Sequence, residues 1–305
     1  VKRDILSVLD MKDDFEDLIT LSVKLKRGRY EEVSSAKNRI LAMIFEKPST
    51  RTRVSFEAAI RQIGGHSLYL NPNDMQLGRG ETISDTAKVL SRLVDIIAYR
   101  AFEHSKMVEL ARNATIPVIN ALDDAEHPVQ MLADFMTLYE KFGKLKGLNL
   151  TYVGDGNNVA NSLLYAAALT GVNIKVATPQ GYEPKKEYVG KALQIASEHG
   201  SEVEILNDPL KAAKGADAVY TDVWISMGEE SKRQEKEKLF HSYQVNDKLM
   251  GQASDHAVFL HCLPAHRDLE VTPSVIDGVR SVVFDQAENR LHTEKALLVS
   301  LLSFQ

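Results

Sequence analysis

Ile40-Leu41-Ala42-Met43-Ile44-Phe45-Glu46-Lys47-Pro48-Ser49-Thr50-Arg51-Thr52-Arg53 changes character twice over a short distance. The apolar run 40–45 has the length and composition of a buried strand, and Lys47-Pro48 ends it. Beyond it, Phe56, Ile60 and Ile63 recur at i, i+4 and i+7 until Gly64-Gly65, which is the spacing and the stop of an amphipathic helix. The unit is strand, loop, helix.

The same alternation extends outward. Strands are expected over 66–70, 95–99 and 117–120, with a helix over 83–93, so the pattern is that of a parallel sheet. Pro128 suits a first helical turn, and Leu132, Phe135, Met136 and Tyr139 form an apolar stripe that ends near Gly143 and leads out of the first half. A second series starts at Leu148: a strand to 153, a Gly154-Asp155-Gly156 turn, a helix over 159–170, and strands over 172–177, 218–223, 257–261 and 281–284. The stretch 291–302 has helical apolar spacing and follows the last of these strands. The mixed-charge stretch 229–238 begins without apolar periodicity and reads as a solvated loop or helix face.

With 305 residues the chain is long enough for about two domains with real cores. The 37 basic and 42 acidic side chains leave a net charge of -5, which gives no electrostatic footprint for nucleic acid. The lone Cys262 excludes an intrachain disulfide and a four-thiolate zinc site, and fits a reducing, cytosolic setting. No apolar run has the roughly 18 residues of a membrane span, and 1–10 mixes charges with apolar residues instead of forming a signal core. The start at Val1 reads as a trimmed terminus, and the chain is read as complete.

Several stretches hold residues suited to chemistry. At 49–53, hydroxyls, backbone N–H groups and two guanidinium groups converge where a helix dipole is positive, as a phosphate requires. The plainer alternative has Ser49 or Thr50 capping the helix and both arginines in solvent. Glu126-His127-Pro128-Val129-Gln130 sets a histidine just outside a helix start. It is either a structural hydrogen-bonding residue or, near Arg51, a donor to a carbonyl oxygen that gains negative charge, with Arg100 beside it. Gly154-Asp155-Gly156-Asn157-Asn158 raises a dinucleotide site, but Val159 stands where the third glycine belongs and the strand ending at Ala177 brings no acid for a ribose. The amides of Asn157 and Asn158 suit a carboxylate instead.

Thr221-Asp222-Val223-Trp224-Ile225-Ser226-Met227-Gly228 supplies an acid, a hydroxyl and a flexible glycine that suit an ammonium ligand and a closing loop. Taken alone, Asp222 equally reads as a turn cap. His261-Cys262-Leu263-Pro264-Ala265-His266-Arg267 leaves three readings open: a covalent cysteine, a His-Cys-His metal site, or an inert buried thiol. The metal reading lacks a carboxylate at ligand spacing. Arg290, in Asp285-Gln286-Ala287-Glu288-Asn289-Arg290, either joins the same site or pairs with Glu288. Each stretch lies just past the carboxyl end of an expected strand, where open α/β sheets bind ligands.

Ser49-Thr50-Arg51-Thr52, His127-Pro128-Val129-Gln130, Asp155-Gly156-Asn157-Asn158, Ser226-Met227-Gly228 and His261-Cys262-Leu263-Pro264, in this order along nearly the whole chain, resemble the motifs of ornithine carbamoyltransferases, within the aspartate/ornithine carbamoyltransferase family. Aspartate-specific relatives are expected to carry a His-Pro-Leu-Pro segment and a loop lysine, and the loop 74–81 has no lysine. The resemblance implies an α/β protein of two doubly wound parallel-sheet domains with the active site in the cleft between them. It divides the chain into a carbamoyl-phosphate domain over 1–142 and an ornithine domain over 143–290, with a helix over 291–305 returning to the first.

It further implies a cytoplasmic homotrimer, or a multiple of trimers, with sites between subunits and with neither cofactor nor metal. The reaction would move the carbamoyl group of carbamoyl phosphate to the side-chain amine of L-ornithine, giving L-citrulline and phosphate. Arginine biosynthesis is the expected setting, although no residue sets the direction of flux against arginine breakdown. Ser49, Thr50, Arg51, Thr52, Arg100, His127 and Gln130 would hold carbamoyl phosphate, with Gln76 reaching in from a neighbouring subunit. Asn158, Asp222, Ser226 and Met227 would hold the amino-acid end of ornithine, while Cys262, Leu263 and Arg290 would line the reacting centre. The catalytic set would be Arg51, Arg100, His127, Cys262 and Arg290, with Cys262 orienting the amine or handling a proton. A sibling enzyme acting on aspartate, putrescine or an acylated ornithine, and a dehydrogenase-like binding module, are the alternatives.

Overall fold

Strands buried on both faces read as unbroken apolar runs, and the computed structural model places two such strands at the centre of its sheets. It describes residues 2–28, 35–225, 231 and 233–303, without the side chains of residues 78 and 79. The chain divides into two compact units, Val1–Met136 with Glu288–Gln305, and Thr137–Ala287.

The first unit begins with α1 (Phe15–Arg27), which buries Phe15, Leu18, Ile19 and Ser22 on one face. It continues as β1 (Ile40–Phe45), α2 (Thr50–Gln62), β2 (His66–Leu70), α3 (Ile83–Leu90), β3 (Ile96–Arg100), α4 (His104–Asn113) and β4 (Val118–Leu122). Helix α5 (Pro128–Phe142) then runs on into the second unit. The strands lie in the order β2-β1-β3-β4 and all pair in parallel. Central β1 is buried from Leu41 onward, whereas β2 at the edge mixes exposed and half-buried residues.

The second unit contains β5 (Asn149–Val153), α6 (Asn158–Thr170), β6 (Asn173–Ala177), α7 (Lys186–His199), β7 (Val203–Leu206), α8 (Pro209–Ala213) and β8 (Ala218–Tyr220). After these come α9 (Arg233–Phe240), α10 (Asp247–Met250), β9 (Val258–Leu260), α11 (Pro273–Ile276) and α12 (Val283–Ser303). Its parallel order is β7-β6-β5-β8-β9. Both sheets therefore grow in one direction from their first strand and then switch to the other side, the doubly wound plan expected from the alternation. The switch points lie between β1 and β3 and between β5 and β8.

Four expectations need correction. The segment 281–284 is no strand: Ser281 makes one bridge to Phe259, and α12 starts at Val283, turning Phe284 outward to 70% exposure. Its β-branched residues fill a helix start, so tertiary placement overrides propensity. The strand expected over 218–223 stops at Tyr220, and the helix expected over 83–93 stops at Leu90. In the charged stretch 229–238, Lys236 is not solvated. It is 2% exposed and pairs with Asp155 at 2.7 Å.

Candidate active site

In the first unit the stretch after β1 becomes the start of α2. Ser49 is its N-cap, and the Thr52 N–H donates to Ser49 Oγ at 3.3 Å. The capping role is thus present, and it leaves Thr50, Arg51 and Thr52 in the first turn, where helical amides have no carbonyl four residues back. Arg53 goes elsewhere: its guanidinium stacks over the Tyr69 ring at 3.7 Å. Arg51 is half-buried and Thr52 buried.

Neighbouring β3 delivers Arg100 as its last residue, 6% exposed, at a break in register where it faces Leu122. Leu122 has φ 153, a costly backbone for a side-chain-bearing residue, and its N–H donates to Asn120 Oδ1 at 2.9 Å. His127 follows β4 and precedes α5. Burial, and then the guanidinium charges of Arg290, Arg100 and Arg51, hold its pKa well below the usual histidine range. The imidazole is therefore neutral, and three cations surround it.

Arg290 is 2% exposed. It sits on α12 and does not follow a strand, nor does it pair with Glu288. Its Nη1 donates to Gln130 Oε1 at 2.7 Å, its Nη2 to Thr52 Oγ1 at 3.2 Å, and its Nε to Glu294 at 3.0 Å. Thr52, Gln130 and Arg290 thus form one hydrogen-bonded group, with Arg51, Arg100 and His127 around it. Gln76 is exposed, in a 3-10 turn over Gln76–Arg79.

Lys47 escaped the sequence reading, where it served only to end a strand. It is 9% exposed, and burial and the charge of Arg100 lower its pKa. A cation so placed at the end of β1 adds to the positive field there. A basic residue directly before Pro48-Ser49 was the only signal in the sequence.

In the second unit, the turn after β5 caps α6 with Asn157. Its side chain accepts from the Val159 and Ala160 N–H groups at 3.0 and 3.2 Å, occupying the amides that a pyrophosphate would need. The Asn157 N–H itself donates to the Asp155 carbonyl at 2.8 Å, so the expectation that it binds a carboxylate is overturned. Asn158 is the first residue of α6 and is half-buried. Among the described residues Asp222, just past β8, caps no turn: Asn157 Nδ2 donates to its Oδ2 at 2.9 Å and Cys262 Sγ to its Oδ1 at 3.1 Å. Ser226 and Met227 lie outside the described residues.

Asp222, His261 and Cys262 place one potential metal-ligating atom each within 4.8 Å of one another. A carboxylate therefore does join this cluster, from the adjacent strand instead of from local spacing. The donor set still suits a hydrogen-bond network better than a metal. His261 Nδ1 accepts from the Leu263 N–H at 2.8 Å and Nε2 faces Glu270 at 3.3 Å, so both ring nitrogens are engaged. Leu263 takes a left-handed φ of 58 to make that turn.

Comparison with known proteins extends these observations. Residues 3–140 match the family model "Aspartate/ornithine carbamoyltransferase, carbamoyl-P binding domain", and residues 146–301 match "Aspartate/ornithine carbamoyltransferase, Asp/Orn binding domain". A Thermoplasma volcanium protein named "Ornithine carbamoyltransferase, catabolic" is 64% identical over 99% of both chains. A Picrophilus torridus protein named ornithine carbamoyltransferase is 60% identical over 99% of this chain and 100% of its own. The solved ornithine carbamoyltransferase from Pyrococcus furiosus superposes with a TM-score of 0.95 at 50% identity, over 99% of this chain and 97% of that one.

Proposed function

Since the chain belongs to the aspartate/ornithine carbamoyltransferase family, we propose that it transfers the carbamoyl group of carbamoyl phosphate to the side-chain amine of L-ornithine, giving L-citrulline and phosphate. The observation that carries the carbamoyl-phosphate end is the neutral His127 ringed by Arg51, Arg100 and Arg290. The names of relatives at 64% and 60% identity support ornithine as acceptor over aspartate, putrescine or an acylated ornithine.

The chemistry follows from these groups. The phosphate sits on the start of α2, held by Ser49, Thr50, Arg51 and Thr52, where amides and a guanidinium face an anion. The carbamoyl oxygen gains charge as the amine adds. Arg100, Thr52 and the neutral imidazole of His127 donate to it, and loss of one such preorganised donor commonly costs about a hundredfold or more in rate. Gln130 and Arg290 hold the same end. Asn158 and Asp222, with Ser226 and Met227, take the amino-acid end of ornithine. Cys262, its S–H directed to Asp222, orients the neutral amine beside Leu263 and forms no covalent bond. When the tetrahedral adduct collapses, the C–O bond to phosphate breaks, the amine gives up its proton, and the departing phosphate accepts it.

A cytoplasmic homotrimer belongs to the same reading, and the exposure of Gln76 supports its use by a second copy. Use in arginine biosynthesis is less well supported, because the T. volcanium relative is described as catabolic. The test is steady-state citrulline formation with both substrates varied, against a panel of the competing amines. Ornithine should be preferred by orders of magnitude, and Arg51→Ala should lower turnover about a hundredfold or more. Equal turnover with another amine, or an Arg51→Ala enzyme with normal kinetics, would sink the proposal.

A further inference from the structure

Four buried side chains of the first unit form one hydrogen-bonded chain, and two of them are acids that the chemistry above does not use. Gln130 Nε2 donates to Asp134 Oδ1 at 2.7 Å, and Arg290 Nη1 donates to Gln130 Oε1 at 2.7 Å. On its other edge, Arg290 Nε and Nη2 donate to Glu294 Oε1 at 3.0 and 2.6 Å. Glu294 is fully buried, one helical turn beyond Arg290 on α12, and lies near Ser55 of α2.

The polarity of this chain is fixed from its ends. Arg290 only donates, so the Gln130 amide has one orientation, with its oxygen toward Arg290 and its NH2 toward Asp134. Its oxygen is then occupied, and its second N–H remains to be donated. Thr52 Oγ1 accepts from Arg290 Nη2, which leaves its O–H to donate. Arg290 spends its Nε–H and both Nη2 hydrogens on Glu294 and Thr52 and one Nη1 hydrogen on Gln130, and keeps one Nη1–H. Thr52, Gln130 and Arg290 are therefore each left with a hydrogen to donate, as an anion or a carbonyl requires.

Resting on the carbamoyl-phosphate reading, we propose that Glu294 is a positioning residue: it locks the guanidinium plane of Arg290 so that Thr52, Gln130 and Arg290 all present donors to carbamoyl phosphate. Without an acceptor at 294, Arg290 is free to turn, and both partners lose the bond that sets their polarity. Burial pushes the Glu294 carboxyl up to about 7, against the opposing effects of Arg290 and Ser55. The charged group that acts on it is Arg290 on its own helix, through which it is linked by way of Gln130 to Asp134 on α5. His127 is held neutral, and Glu126, whose carboxyl burial also pushes up to about 7, is common to wild type and the Glu294 variants and so cancels in their comparison.

The experiment compares wild type, Glu294→Gln and Glu294→Leu in citrulline formation, with circular dichroism to establish folding. Glutamine keeps an acceptor for Arg290 and should stay within about threefold of wild type, whereas leucine, of similar bulk, should raise the KM for carbamoyl phosphate roughly tenfold and lower kcat by a similar factor with the KM for ornithine unchanged. A purely space-filling role would treat the two alike. Should the leucine variant fail to fold, the pH profile decides. The wild-type KM for carbamoyl phosphate, divided by that of Glu294→Gln at each pH to cancel substrate ionisation, should rise about threefold from pH 8 to pH 6 as the carboxylate is protonated. Equal kinetics for glutamine and leucine, or a flat ratio where leucine does not fold, overturns the inference. A wild type that makes no citrulline overturns the underlying reading instead, so the two failures are distinguishable.

Discussion

Glu126 shows what burial does to one carboxyl. It accepts from Ser7 Oγ at 2.6 Å and from the Val8 N–H at 3.0 Å, pinning the N-terminal segment, yet burial still pushes its pKa up to about 7. The folded state thus holds this proton more tightly than the unfolded chain does. The associated stability is present in full below the ordinary glutamate range and is lost as pH rises through about 7. Glu126→Gln keeps both contacts, with its oxygen toward Val8 and its NH2 toward Ser7. It should melt above wild type at pH 8, by up to a few kcal/mol on the order of its pKa displacement, and the gap should shrink by pH 6. Thermal melts at the two pH values check this, and a gap that widens toward pH 6 would reverse the sign of the argument. At this scale the sequence shows residue types and little of their contacts. Arg51 and His127 were legible because each flanks a helix start. Glu294 was not, because a buried acid on a helix looks like any solvated one until its partners across the unit are known.

At the scale of elements, the turn between β5 and α6 depends on a missing side chain. A Cβ on Gly156 would lie 2.3 Å from Pro184 N and 2.5 Å from the Tyr182 carbonyl oxygen, both backbone atoms with little room to yield. Gly156→Ala should therefore displace the turn that carries Asp155 and Asn157, cost roughly 1–3 kcal/mol, and raise the KM for ornithine. Melting and ornithine titration test the two halves of that statement, and an alanine variant with unchanged KM would detach this turn from the amino-acid site. The strand over 40–45 was readable because it is apolar throughout, and that over 148–153 because Leu148, Leu150, Tyr152 and Val153 run into a glycine turn despite Asn149 and Thr151. The edge strand β7, Val203–Leu206, was missed because Glu204 interrupts its apolar residues. The contact between Asp222 and Cys262 was unreadable for a related reason: it joins two stretches forty positions apart that only the pairing of β8 with β9 brings together.

Over the whole molecule, the first unit is built from two separated pieces of chain. Ala296, Leu297 and Leu298 are fully buried, and Leu301 and Leu302 nearly so. Removing residues 288–305 should therefore loosen the first unit while sparing the core of the second. Hydrogen exchange should show protection lost in β1 to β4 and kept in β5 to β9, and uniform protection would contradict the division. The sequence conveyed the two-unit plan through its repeated alternation but placed the return to the first unit a few residues late, since the false strand at 281–284 hid the start of α12. Among the described residues no helix is long and apolar enough to cross a membrane.

The same discontinuity has a consequence during synthesis. Arg51, Arg100 and His127 leave the ribosome early, but Arg290 follows only after the entire second unit has been translated. At about 5–20 residues per second, the nascent amino-terminal half waits on the order of ten seconds, with its anion-binding cluster unfinished, for the helix that completes it.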